Sequence, residues 1–152
     1  MLQRIQSVWL ILAFISLLLI MIFPIFTIHT SGENSEIYSF YFTGYFKNVN
    51  GKLLQPAYAF ASILTVTSVL GVLNIFLFKN RKLQMRICIY NAILMLALTG
   101  LMVYFAYFSV KDAVWNFNFP MVLPVVALIF TIMARMGIKK DENLVRSVDR
   151  IR

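Results

Sequence analysis

From Val8 to Ile28 the chain carries no charged residue. At about 1.5 Å of rise per residue, a helix over this run matches a bilayer hydrocarbon core of roughly 30 Å. Three further runs of the same kind follow, at about 57–78, 87–109 and 119–138. The gaps at 79–86 and 110–118 are short, so neighbouring spans must run antiparallel. Only one substantial loop, 29–56, interrupts the pattern. A soluble domain of 152 residues could not cover its surface at 61% hydrophobic and 13% charged residues. A signal peptide is the competing reading of the N-terminus, with Arg4 as its basic flank. The apolar run is too long for a typical signal core, and no small-x-small cleavage pattern closes it, so a retained helix is expected.

The net charge of +8 follows the same organisation. A basic balance can signal nucleic acid, but here the cations sit in the gaps between apolar runs rather than over a soluble face. Arg4, the second gap (Lys79, Arg81, Lys82, Arg86), and the end of span four with its tail (Arg135, Lys139, Lys140, Arg146, Arg150, Arg152) place eleven on one side. The other side has three, Lys47, Lys52 and Lys111. The positive-inside rule puts the richer side, with both chain ends, in the cytoplasm. No nucleic-acid partner is expected.

Residues 29–56 form the first outer loop. Ile37–Phe46 is dense in aromatics with high strand propensity, Asn50-Gly51 is a tight-turn pair, and Lys52–Gln55 can return as a second strand. The pattern predicts a small β-hairpin over the outer helix ends. One strand face would carry Tyr38, Phe40, Phe42 and Phe46, the other Ile37, Ser39, Tyr41, Thr43 and Tyr45. Such aromatics serve either as an interfacial belt or as a partner surface. Pro24, Pro120 and Pro124 are expected to bend spans one and four near their outer ends.

The spans hold no Asp, Glu, Lys or His away from their ends. Proton- and ion-coupled carriers place such groups near mid-membrane. Cys88 is the single cysteine, so intrachain thiol exchange has no second thiol, and an inert buried thiol is expected. His29 with Glu33 and Glu36 is a weak metal pattern. No catalytic, cofactor-binding or metal-ligating residues are assigned, no cofactor is expected, and the chain is read as not an enzyme. Asn74 lies five residues before Lys79, and Asn91 five after Arg86. Antiparallel spans joined by this turn put both amides at one depth, where they would form an interhelical polar pair worth on the order of 1 kcal/mol. Ala57, Ala61, Thr67 and Gly71 in span two, and Ala97 and Gly100 in span three, are candidate close-packing positions.

The tail, 139–152, has Leu144, Val145, Val148 and Ile151 on one helical face, with Arg146, Arg150 and Arg152 elsewhere. Asp141 and Glu142 fall where a first turn favours acids. An amphipathic cytoplasmic helix is expected, continuing from span four or hinged after it, and these seven residues are the candidate site for docking lipid or a protein partner.

The opening Met1–Trp9 (MLQRIQSVW) and the closing Lys140–Arg152 (KDENLVRSVDRIR) resemble the signature ends of a four-helix inner-membrane protein family of the Bacteroidetes, a family of unknown function. The resemblance extends to length and span pattern. It implies a bacterial inner-membrane location, carries over no site residues, and draws attention to the Arg4/Gln6 end and to Leu144–Arg152, which would share one cytoplasmic surface.

The expected fold is an all-α membrane protein. It is an up-down-up-down four-helix bundle over 1–138, with a small β-hairpin in the first outer loop and a cytoplasmic amphipathic helix over 139–152. Its layout is similar to that of claudin-type tetraspan proteins, without their Trp and Cys-pair signature. The expected function is a non-enzymatic accessory or scaffold subunit of a bacterial inner-membrane assembly, with secretion or envelope biogenesis as the host considered. The alternative is a small transporter or channel for a lipid or neutral solute, lined by Ser16, Thr65, Ser68, Asn74, Asn91 and Thr99. A third reading places a lipid-directed enzyme at His29, Glu33 and Glu36. Expected partners are membrane lipid and a membrane or cytoplasmic-face protein.

Overall fold

A computed structural model describes residues 2–30, 37–47, 51–108 and 113–149. Its elements are α1 (Leu2–Ile22), β1 (Phe26–Thr30), β2 (Ile37–Tyr41), β3 (Gly44–Lys47), β4 (Lys52–Pro56), α2 (Tyr58–Phe76), α3 (Arg81–Phe108), β5 (Ala113–Phe117) and α4 (Leu123–Asp149). Short 3-10 turns at Leu77–Lys79 and Phe119–Val122 lead into α3 and α4. All four helices are long and apolar enough to cross a membrane. The sheet gathers where α1 and α3 end and where α2 and α4 begin. The opposite end carries the start of α1, the end of α4 and the Lys/Arg-rich turn between α2 and α3; we call it the basic end.

The helices pack through seams with alternating spacings of four and three. Buried positions are Gln6, Leu10, Ala13, Leu17 and Ile20 on α1, and Phe60, Leu64, Thr67, Gly71 and Asn74 on α2. On α3 they are Gln84, Cys88, Asn91, Met95, Leu98 and Met102, and on α4 Ala127, Thr131, Ala134, Ile138 and Asp141. A repeat of this period keeps one stripe against neighbours along the whole length, as in coiled-coil-like bundles. In α2 the buried stripe includes Thr67, Ser68, Gly71 and Asn74, while Val66, Val69, Leu73 and Phe76 are exposed. A soluble amphipathic helix has the opposite arrangement. Lipid solvates an apolar outer face and leaves small and polar residues for helix contacts. Gly71 illustrates the contact: a Cβ there would lie 3.6 Å from Asn91 Nδ2. Ala97 and Gly100, the small pair expected in span three, are exposed and make no such seam.

The expectation of an all-α fold with one small hairpin is corrected by a five-stranded antiparallel sheet of order β4-β3-β2-β1-β5. The molecule is four helices plus this sheet. Two features hid it. The helix of span one covers Leu2–Ile22 rather than 8–28. Pro24 ends it instead of bending it, because the residue before a proline is driven out of the helical region. Phe26-Thr-Ile-His-Thr30 then runs as a strand whose apolar content blends into the helix run. That strand pairs with β2 on one side and with β5 on the other, Phe26 opposite Phe40 and Phe117. β5 comes from the second outer connection, so the sheet stitches together two loops that local sequence reading treats as separate. Asn118 Nδ2 donates to the Pro24 carbonyl at 3.2 Å and ties the same two segments.

The single strand expected over Ile37–Phe46 is also folded in two. The chain turns at Phe42-Thr43, and β3 returns along β2 with Phe40 opposite Tyr45. Two rings assigned to opposite faces therefore share one. Gly44 makes the reversal possible. Its φ is +144°, and a Cβ there would sit 2.2 Å from the Gln55 carbonyl oxygen. A side chain is excluded by backbone on the neighbouring strand. Instead of forming a belt, Phe26, Phe40 and Tyr45 turn inward. Phe40 lies 4.7 Å from the rings of Phe26 and Tyr45, 5.8 Å from Phe60 of α2 and 5.3 Å from Phe105 of α3. Tyr45 Oη donates to the Phe105 carbonyl at 2.7 Å. The sheet closes its end of the bundle with an aromatic plug.

Candidate functional site

At the basic end every helix seam finishes on a polar residue: Gln6, Asn74, Gln84 and Asp141, all buried. Gln6 Nε2 donates to Asp141 Oδ2 at 2.5 Å, joining residues 135 apart in sequence. Gly137 gives Gln6 room for this reach, since a Cβ there would lie 2.9 Å from Gln6 Cγ. Across the bundle, Gln84 Nε2 donates to the Asn74 carbonyl at 3.1 Å. Asn74 Nδ2 donates to Cys88 Sγ at 3.0 Å. Deeper in the bundle, Thr131 Oγ1 donates to the Ala127 carbonyl at 2.8 Å and lies 3.6 Å from Met95 Sδ.

The layer is incompletely satisfied. Asn74 Oδ1, Asn91 Oδ1 and Asp141 Oδ1 are buried and accept no hydrogen bond among the described residues. Buried polar atoms are nearly always paired, so the two unpaired acceptors of this layer, on Asn74 and Asp141, and the one deeper in the bundle on Asn91 are a cost the chain retains. They also fix the geometry of the asparagines. Asn74 and Asn91 are both buried on facing helices but not at one depth: Asn74 meets Cys88, and Asn91 lies beside Gly71, about one turn deeper. With both carboxamide oxygens unpaired, they do not bond one another; the amide of Asn74 goes to Cys88.

Asp141 was missed as a buried group, because a sequence of tail acids reads naturally as a first helical turn. A signal was present. Extending the α4 stripe from Ala127 through Thr131, Ala134 and Ile138 by three more residues lands on Asp141. Of the two geometries expected for the tail, continuing from span four or hinged after it, the structure shows the first: α4 runs unbroken to Asp149. Leu144 and Val145 project from it 49% and 45% exposed. Arg146 and Val148 lie on the same helix, with side chains outside the described residues. Arg150, Ile151 and Arg152 lie wholly outside them.

The remaining candidates separate. Ser16, Thr65, Ser68 and Thr99 each donate to a carbonyl of their own helix, four residues back. Thr65 points out of the bundle while Ser68 points in, so these hydroxyls do not line one path. His29 is on β1, whereas Glu33 and Glu36 lie outside the described residues. Among the described residues no three His, Cys, Asp or Glu side chains converge.

Beside the polar layer, α3 and α4 leave a groove of about 410 Å³ lined by Lys82, Arg86, Arg135 and Lys139 with Glu142. Met85, Ile89 and Asn143 complete its lining.

No curated protein matches the chain. A family model described as a domain of unknown function, DUF4293, matches residues 2–151, taking in both partners of the Gln6–Asp141 contact and nearly all of the sequence between and beyond them, so the chain belongs to the DUF4293 family.

Proposed function

We propose that the chain is a non-enzymatic accessory or scaffold subunit of a bacterial inner-membrane assembly, with both termini in the cytoplasm. The observation that carries this reading is the unbroken α4. It leaves the bundle past the Gln6–Asp141 contact and holds Leu144 and Val145 exposed on a stiff extension. An apolar pair held on a continuous helix, past the basic residues Lys139 and Lys140, is suited to dock another protein, because little ordering entropy is lost on binding. The contact between the two chain ends fixes the arm's direction. The lysine and arginine distribution supports the orientation, eleven against three. The self-satisfied hydroxyls of Ser16, Thr65, Ser68 and Thr99 speak against a shared solute path and so favour the scaffold over transport.

The test is mild-detergent purification from native membrane after gentle cross-linking, with co-purifying proteins identified by mass spectrometry. A stoichiometric partner that is lost on deleting Leu144–Arg152 is the expected result. Recovery of the chain alone, or with lipid only, overturns the accessory reading.

A further inference from the structure

We propose that the groove between α3 and α4 at the basic end binds the headgroup of an anionic phospholipid, with its acyl chains lying along the α3/α4 seam. The first support is charge. Lys82, Arg86, Arg135 and Lys139 line the groove, and Glu142 is the one carboxylate in that lining. Four cations drawn to one site against a single acid repel one another unless an anion joins them.

The second support is independent and selects the occupant. On α3, Lys82, Arg86, Ile89, Ile93 and Leu96 follow one helical face at spacings of four, three, four and three, and all five are exposed. On α4 the matching face reads Lys139, Arg135, Ile132 and Leu128, exposed except for the partly covered Leu128. The two helices are antiparallel, so both stripes change from cationic to apolar in the same direction, away from the basic end. A free phosphate or nucleotide would use the cations but not the apolar track. A phosphodiester carrying acyl chains uses both, and basic pockets between spans at the cytoplasmic level have this chemistry. Arg86 and Arg135 sit at the change from charge to apolar, where a lipid phosphate resides, and guanidinium forks bind phosphate oxygens in pairs.

The inference rests on the membrane reading of the four helices and is independent of the accessory-subunit reading. It assigns a role to α3 and α4 cations that the tail residues do not share.

Full-length protein in neutral detergent, titrated with phosphatidylglycerol or phosphatidylcholine and read by native mass spectrometry, tests it. The expected result is preferential retention of phosphatidylglycerol. Arg86→Gln with Arg135→Gln should weaken that retention about 30-fold, at about five-fold per cation. Lys82→Gln with Lys139→Gln, farther from the apolar seam, should give a loss of the same sign and keeps the test open if the arginine pair impairs folding. Arg81→Gln with Lys140→Gln, basic-end cations outside the groove lining, should leave retention unchanged. An equal loss in that variant would assign the preference to general basic charge and overturn the groove. Displacement by millimolar glycerol phosphate would make the ligand a free phosphate and overturn the lipid. Release of the native protein from membranes by alkaline carbonate would instead remove the membrane reading itself, a failure distinct from loss of lipid preference.

Discussion

The two ends of the bundle are closed in opposite ways. At the sheet end, the Phe40 ring touches four other aromatic rings, and the Tyr45 hydroxyl has its acceptor in the Phe105 carbonyl. At the basic end, every seam ends on an amide or a carboxylate, and two of these residues, Asn74 and Asp141, hold a buried oxygen that accepts nothing among the described residues. Apolar closure stabilises by area and dispersion and tolerates any partner of the right shape. Polar closure contributes little net energy, yet it discriminates sharply, since each group demands a partner in one place. The difference teaches that the sheet end is built to hold the helices together, while the basic end is built to hold them in one arrangement. The latter is the end from which the α4 arm and the cationic groove project.

This contrast can be broken most forcefully at Phe40. Phe40→Ala should cost about 3–5 kcal/mol in detergent thermal or denaturant unfolding, as for a large ring lost from a packed core. A cost below about 1 kcal/mol would mean the sheet lies loosely on the bundle.

At the other end, Asp141→Leu alone should cost about 1–3 kcal/mol, because Gln6 keeps a buried donor with no acceptor. Adding Gln6→Leu should recover most of that loss, or exceed wild-type stability, since replacing both members of a buried polar pair is often neutral or better. If the double variant is instead the least stable, the polar layer is a source of stability and the comparison between the ends fails. Tyr45→Phe removes one hydroxyl at the sheet end and should cost about 1 kcal/mol by the same measurement. The smallest effect expected is the coupling between Asn74→Ala and Asn91→Ala. With both oxygens unpaired and the Asn74 amide on Cys88, a double-mutant cycle should give less than about 0.5 kcal/mol. A larger coupling would show that the two amides act together.

Legibility in the sequence followed the range of the information needed. Leu98 or Ile15 announces a span through its immediate neighbours, so the four long helices and the short turn between α2 and α3 could be read directly. Phe40 and Tyr45 could be recognised as strand residues but not placed on one face. That placement depends on whether the chain turns at Thr43, and so on the space around Gly44. The pairing of β1 with β5 joins Phe26 to Phe117, and no local pattern in either segment names the other. The candidate site divided in the same way. Leu144 and Val145 stood out as an apolar pair in a charged tail, whereas Asp141 looked like a solvent-facing acid beside them.

What the sequence determined by itself was solvent preference. Uncharged runs of membrane length, with lysines and arginines between them, express transfer free energies that add residue by residue and need no knowledge of the neighbours. Tertiary structure alone decided which polar residues face inward and whom they meet. The amide of Gln6 finds Asp141 because α1 and α4 run antiparallel with their seams in register, and the cations of α3 and α4 share a groove because those helices are adjacent. Such contacts depend on helix rotation and register, which are set by packing over the whole length of the bundle and by the sheet that ties its far end.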